Sequence, residues 1–431
     1  MTNCSPAASR PLRRTAVIAS ALLLAIAPAA LLAQHPAFSS ERLARIDSFM
    51  QSYVDGGRIG GAVGLVLRDG KVVYEHSVGW ADREAGRRMT PDAIFRIASQ
   101  TKAITSVAIL QLVEQGRIAI TDPVSRFMPV YGMTTVAVGS DTGRAIVPAT
   151  RPITIRDLLT HTSGISYGTS PIVAPLYEAK GLGRAAGWGW YTADKNEPVC
   201  ETMDRLASLP FVSQPGAAWV YGYSIDILGC VVERASGQPL DEYVRTHITG
   251  PLGMHDTYFF LPPAKRGRLA AVYRTDASGR AERAPNGPRG QGDYVDGPRK
   301  NFSGGAGMLS TAADYARFLE AIRRGGAIDG VRILSPHAVQ LMHTNMVGTL
   351  HSANGELGFG LGFETVEQYG AKGMVSAGSF GWGGAYASMY EVDPSERLVI
   401  VFMIQQLPIG ADIATLFPTL VYQALVESAH Q

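Results

Sequence analysis

The sequence predicts an α+β fold, an α/β sandwich whose antiparallel sheet is built from N- and C-terminal segments and flanked by helices. Three observations predict it. Near the start, the apolar runs Gly61–Leu67 and Lys71–His76 flank Asp69-Gly70, and Asp-Gly between two such runs is a strong hairpin signal. Near the end, Ala385–Val392 and Arg397–Ile404 flank Asp393-Pro394-Ser395, a second hairpin. The long stretch between them carries helical rather than alternating periodicity, so it reads as a mostly helical insert.

Taken in order, the chain of 431 residues begins with Arg10, Arg13 and Arg14, followed by an apolar, alanine-rich run from Thr15 to Leu32 and a small residue, Ala33. That order is expected of a secretory signal peptide spanning residues 1–33, which implies a periplasmic or secreted protein. A retained anchor is the alternative, since the run approaches the length of a membrane-spanning helix. No later stretch does, so no stable membrane span is expected after processing. The remainder, 34–431, reads as one domain with a sheet part at about 34–98 and 303–431 and a helical insert at about 117–302. Phe38–Tyr53 is expected to be an opening helix, with Leu43, Ile46, Phe49 and Tyr53 on one face. Further helices are expected at Ser99–Gln115, Thr154–His161, Glu201–Ser208, Ile225–Ala235, Leu240–Ile248, Thr311–Ile322 and Ile413–Ala429. Met133–Arg151 and Pro262–Arg299 read as loops rich in Gly and Pro, the second basic enough to be mobile.

Composition removes several function classes. Lys and Arg total 39 against 37 Asp and Glu, a net charge of +2 that offers no broad basic face for nucleic acid. With 18% charged and 46% hydrophobic residues the chain is globular rather than disordered. Three cysteines form no C-x-x-C pair, and Cys4 leaves with the signal peptide. An oxidising compartment permits a Cys200–Cys230 disulfide, but the apolar helix face around Cys230 equally suits a buried thiol. The histidines make no H-E-x-x-H, so His161, His247 and His255 read as structural, and no metal is expected. Gly358-Phe-Gly-Leu-Gly362 lacks the strand–turn–helix setting of a nucleotide loop, so no cofactor is expected either.

Ser99-Gln100-Thr101-Lys102 is the sharpest chemical signal. Ser99 opens a helix, where free N–H groups and the macrodipole favour developing negative charge. Lys102, three residues on, lies on the same face. A serine hydroxyl needs an adjacent base, which a lysine supplies in its neutral form. A competing nucleophile is Ser166 in Gly164-Ile-Ser-Tyr-Gly168, which fits G-x-S-x-G. The elbow of that motif needs a strand before the serine and a helix after it. Here a helical segment precedes and Thr169-Ser-Pro171 follows, so Ser166 reads as a loop residue. Pro215–Asp226 adds Tyr221 and Tyr223 at the mouth of a helix, and Gly378–Ala385 carries glycines that let a ligand approach a strand backbone.

In this order the pieces resemble the penicillin-recognising serine hydrolases of β-lactamase/transpeptidase-like fold, in their class C β-lactamase-like branch, and most of all the family VIII carboxylesterases. The resemblance runs from about Phe38 to Ala424. Ser99–Lys102 matches the S-x-x-K motif, and Tyr221-Gly222-Tyr223 stands at the Tyr-x-Asn motif. Trp382-Gly383-Gly384 stands at Lys-Thr-Gly, in the tryptophan form those esterases carry. Leu158–Ile165, Gly304–Tyr315 and Gly330–Pro336 match further stretches. The resemblance implies a small-molecule ester or β-lactam substrate, an acyl-enzyme on Ser99, and Lys102 and Tyr221 as general base and acid. It also implies an oxyanion hole from the N–H groups of Ser99 and Ala385, substrate contacts at Tyr223, Trp382, Gly383 and Gly384, and a monomer. Two departures matter. Tyr223 and Trp382 replace the asparagine and lysine that hold a lactam's amide and carboxylate, which tilts the expectation towards neutral esters. A β-lactamase or D-amino-acid peptidase, an acyltransferase to an alcohol, and a slowly turning over penicillin-binding-like sensor are the alternatives.

Overall fold

Asp69 and Gly70 both adopt positive φ, +52° and +76°, the mirror-image turn that suits a two-residue hairpin. The turn joins β1 (Gly61–Arg68) to β2 (Lys71–Asp82) in the computed structural model, which describes residues 1–2, 37–140, 143–183, 193–407 and 412–429. The distant hairpin supplies β7 (Met389–Asp393) and β8 (Leu398–Ile404). Its turn is held by the Asp393 carboxylate, which accepts the N–H groups of Ser395 and Glu396 at 2.9 and 3.0 Å. Adding β3 (Arg87–Arg88), β4 (Leu357–Phe359), β5 (Glu364–Val366) and β6 (Phe380–Gly383) completes an eight-stranded sheet of order β4-β5-β6-β7-β8-β1-β2-β3. All its pairings are antiparallel, with Val66 opposite Ile400 and Arg68 opposite Leu398 at the centre.

Every residue of β1 and β8 is buried, because helices cover both faces. Successive side chains point to opposite faces of a strand. Ala62, Val66, Ile400 and Phe402 therefore meet α1 (Ser40–Asp55) and the C-terminal helix Ile413–Ala424 through Ile46, Met50, Phe417 and Val421. Val63, Leu65, Val399 and Val401 belong to the larger core on the other face. That core includes α2 (Thr101–Glu114), α4 (Ser224–Ser236) and α5 (Ala312–Arg323). Burial at about 25 cal/mol per Å² of apolar surface makes these two layers the main source of stability. From Thr101 to Leu112 every residue of α2 is buried, not one face only. The helix is sandwiched between the sheet and the inserted helices, which explains its apolar circumference.

Both expected loops contain structure. Thr135–Ser140 and Gly143–Pro148 pair as a hairpin within Met133–Arg151, since Val136, Val138, Ile146 and Val147 supply enough alternation for a short ribbon. Within Pro262–Arg299, Tyr273–Thr275 pairs with Ala281–Arg283. The buried Gln291 stitches this segment down: it donates to Val272 O and Ala284 O and accepts from Val272 N. Arg96 donates to Gln291 O and Ala270 O at 2.6 and 2.7 Å. These bonds tie the segment to the body of the fold. Cys200, in α3 (Val199–Leu206), and Cys230, in α4, form a disulfide, which settles the open alternative; packing of α3 on α4 brings their Cα atoms to 5.1 Å. Contacts separate residues 1–34 from a unit of residues 35–431, and the signal-peptide expectation falls, Met1 and Thr2 apart, outside the described residues. Among the described residues no helix is long and apolar enough to cross a membrane.

Candidate active site

Ser99 lies in a 3-10 turn, Ala98–Gln100, just ahead of α2 rather than in its first turn. The turn is pinned from outside. Tyr315 Oη donates to Gln100 O at 2.8 Å, and Thr101 Oγ1 accepts the Met308 N–H at 3.1 Å. Lys102 is buried, and its Nζ reaches Ser99 Oγ at 3.2 Å, Tyr167 Oη at 2.9 Å and Gly305 O at 2.8 Å. Three partners suit either protonation state. As an ammonium it donates to all three. As a neutral amine it keeps donors for Tyr167 and Gly305 and turns its lone pair to the serine hydroxyl, the geometry a base requires.

Tyr221 meets Lys102 through its ring. Lys102 Nζ sits over its ring, 4.6 Å from the centroid, while its hydroxyl accepts the Trp382 indole N–H at 3.0 Å. The hydroxyl bonded to Lys102 is that of Tyr167, which the sequence reading passed over. Tyr167 is the residue after Ser166, so the G-x-S-x-G segment supplies a functional side chain from its tyrosine. Ser166 itself is buried and accepts the Gly168 N–H at 3.0 Å, the work of a loop residue. The Tyr167 phenol is held well above its ordinary range, by burial first and then by neighbouring Tyr221 and Asp226. It therefore remains a neutral hydroxyl beside the lysine. Gly222 makes the arrangement possible: a Cβ there would come within 2.2 Å of Ile165 O, so only glycine lets the Tyr221 segment lie against the Tyr167 loop.

Asp226 was also missed. Wholly buried, it accepts from Ser303 Oγ and from the Gly305 N–H at 3.1 Å, and so fixes the carbonyl that receives Lys102. Burial pushes its carboxyl up, opposed by the charge of Lys102. The signal lay in its position, three residues beyond Tyr223 on a buried helix face.

Trp382, Gly383, Gly384 and Ala385 line, with Ser99, Tyr167 and Tyr221, one cavity of about 800 Å³. A Cβ on Gly384 would lie 2.7 Å from Ile97 O, so that glycine lets the end of β6 close against the serine turn. Ser99 and Ala385 share the cavity wall. Tyr223 does not line the cavity. It is buried, packs edge-on to Tyr167 at 4.8 Å, and its hydroxyl accepts the Gly183 N–H at 3.4 Å, so it backs Tyr167 rather than the cavity wall. No residue of the basic segment 262–300 reaches the cavity among the described residues. Lys372 does, but it is paired with Glu391 at 2.6 Å and Glu364 at 3.2 Å. His161 is buried against Tyr221, ring centroids 4.7 Å apart, and burial holds its imidazole well below the ordinary range, helped by Lys102 and His351. It is a neutral packing group.

A serine, a lysine and two tyrosines around an ester-sized cavity, on a sheet covered by helices on both faces, define a serine hydrolase of the β-lactamase/transpeptidase-like fold. The chain belongs to the beta-lactamase family, whose model matches residues 46–418. It is 34% identical over 375 residues to esterase EstB of Burkholderia gladioli, an alignment covering 84% of this chain and 89% of that one. Among solved structures it is similar to EstCE1, a hydrolase with promiscuous acyltransferase activity, with TM-score 0.75, 28% identity, and coverage of 90% and 99% of the two chains. It is also similar to a simvastatin synthase (LovD6 mutant) of Aspergillus terreus, with TM-score 0.74, 25% identity, and coverage of 89% and 94%.

Proposed function

We propose that this serine hydrolase is a secreted esterase that cleaves neutral carboxylic esters through an acyl-enzyme on Ser99. The observation that carries the reading is the Trp382 indole donating to Tyr221 where a β-lactamase presents a lysine. Neutral Lys102 takes the Ser99 proton as Oγ attacks the ester carbonyl, with its other N–H groups held by Gly305 O and Tyr167 Oη. The oxyanion forms between the N–H groups of Ser99 and Ala385, each donor contributing on the order of 10²–10³ in rate. Trp382 occupies one lone pair of the Tyr221 oxygen, which leaves its O–H free to protonate the departing alkoxide. Water then enters at that place, gives its proton to the Tyr221 phenolate as it attacks the acyl-enzyme, and Lys102 returns its proton to the departing Ser99 Oγ. EstB, named an esterase, supports this reading. Acyl transfer to an alcohol is a second reading, favoured by a cavity larger than a short ester and a water need. The disulfide supports export after cleavage near Ala33, because such bonds persist in oxidising compartments.

A panel of p-nitrophenyl esters run beside a chromogenic cephalosporin tests the substrate class. The best ester is expected to exceed the cephalosporin by about 100-fold in kcat/KM, about 2.7 kcal/mol of transition-state binding. Lys372 is committed to two carboxylates and cannot stand in for the missing lysine. Ser99→Ala should abolish turnover, Ser166→Ala should keep most of it, and Trp382→Lys should move preference towards the lactam. Equal wild-type rates on ester and cephalosporin would overturn the reading in favour of a β-lactamase.

A further inference from the structure

The cavity does not stop at the catalytic groups. Trp382 pairs with Tyr390 and Gly381 with Glu391, so Trp382 and Glu391 lie on opposite faces of the sheet. Gly381 and Gly383 put no side chain on the Glu391 face. There the cavity continues between the sheet and the C-terminal helix, bounded by Met389, Glu391, Lys372, Leu416 and Thr419. The floor of this lobe is polar. Glu391 is fully buried, and its Oε2 binds Lys372 Nζ at 2.6 Å, while among the described residues its Oε1 has no hydrogen-bond partner. A buried carboxylate oxygen without a donor is costly and needs an explanation. The His351 ring on Glu364 and the shared Lys372 hold the two carboxylates in place from the other side.

Resting on the esterase reading, we propose that this lobe is the acyl-end subsite and that Glu391 Oε1 receives a hydrogen-bond donor, a hydroxyl, at the far end of the substrate's acyl chain. The side of the substrate follows from the strand. Tyr221 and Trp382 hold the leaving alcohol on one face, so the acyl chain leaves the oxyanion site past Gly383 towards the other. The length follows from the register. Ala385 lies four residues beyond Gly381, the residue opposite Glu391; the last two leave the strand for the turn at Gly384–Ala387, so at ~3.3 Å per residue the span is at most about 13 Å. An extended acyl chain of up to about eight carbons, ending in one hydrogen bond of about 2.8 Å, covers that distance.

The test compares kcat/KM for methyl 8-hydroxyoctanoate, methyl octanoate and monomethyl octanedioate, each scaled within a given variant to p-nitrophenyl acetate, so that folded fraction and acylation chemistry cancel. The wild type is expected to prefer the hydroxy ester about tenfold over the plain ester, and to handle the carboxylate worst because it brings an acceptor to an acceptor. Glu391→Gln should cut the hydroxyl preference to about threefold or less. Thr419→Trp, on the half-buried side of the C-terminal helix, fills the lobe without touching the ion pairs and should lower both octanoyl esters relative to acetate. Equal rates on the hydroxy and plain esters, or a preference that survives both substitutions, overturn the subsite while leaving the esterase standing. No turnover of any ester, p-nitrophenyl acetate included, overturns the esterase reading and the subsite with it.

Discussion

Ala98, His161 and Ala387 are non-glycine residues held at positive φ, +44°, +58° and +66°, and all three adjoin the site. Ala98 precedes the nucleophile, His161 packs on Tyr221, and Ala387 lines the cavity beside Ala385. Such backbone costs about 1–3 kcal/mol apiece and persists only where surrounding structure enforces it. The two tyrosines divide the labour at this scale. In the proposed mechanism Tyr221→Phe removes the proton donor, and it should cost at least 10²-fold in kcat on an alkyl ester, within the usual range for general acid–base catalysis. Tyr167→Phe removes one acceptor of Lys102 and should cost about tenfold. Steady-state kinetics on a methyl ester separate the two, and the reverse order would make Tyr167 the acid. Ser99 and Lys102 were legible in the sequence because a local i, i+3 spacing joins them. Tyr167 and Asp226 were not, because each meets Lys102 only through tertiary packing, and Tyr167 was hidden inside a motif whose serine points elsewhere.

At the scale of elements, the two hairpins were readable from Asp-Gly and Asp-Pro-Ser turns, and the longer helices from their periodicity, while the short helices Ala174–Ala179 and Pro336–Met342 were not. The Thr135–Pro148 ribbon was not, since its strands are short and the glycines and prolines around it dominate the pattern. The short helix Ile155–Leu159 shows what its signal meant physically. Thr154 and Asp157 form a reciprocal capping box, and Arg151 binds the Asp157 carboxylate through both oxygens at 2.6 and 2.9 Å. Burial alone would push this carboxyl up, but the bonds from Arg151 and Thr154 outweigh it and hold it below the usual range. Its stabilisation is therefore complete above the unfolded value of ~3.9 and is lost as pH falls through the folded one. Asp157→Ala should cost about 1–3 kcal/mol at pH 7 by urea denaturation, and the gap from wild type should narrow below pH ~4. The disulfide ties α3 to α4 across 30 positions and encloses the segment that carries Tyr221. Loop-closure entropy sets its contribution at about 3–4 kcal/mol. The Cys200→Ser/Cys230→Ser double variant should lose that much in the same assay; an unchanged midpoint would show that helix packing alone holds the pair.

For the whole molecule, sheet class and layering followed from where the strand signals fell, at both ends of the chain. What no local pattern revealed was the cavity, because it is a gap between a glycine-bearing strand and a helix more than thirty residues further on. The pairing of Arg68 with Leu398 has a further consequence, one of timing. During synthesis, the strand most enclosed in the finished protein waits for its neighbour while 398 − 68 = 330 further residues are made. Over that interval β1 and β2 form at most a ribbon with an open apolar edge, the kind of surface that other chains can pair with. Contacts this distant in sequence make folding slow. The same delay keeps Ser99 without the strand that brings Gly383, Gly384 and Ala385 to its cavity, so the growing chain holds no finished site until those late residues are in place.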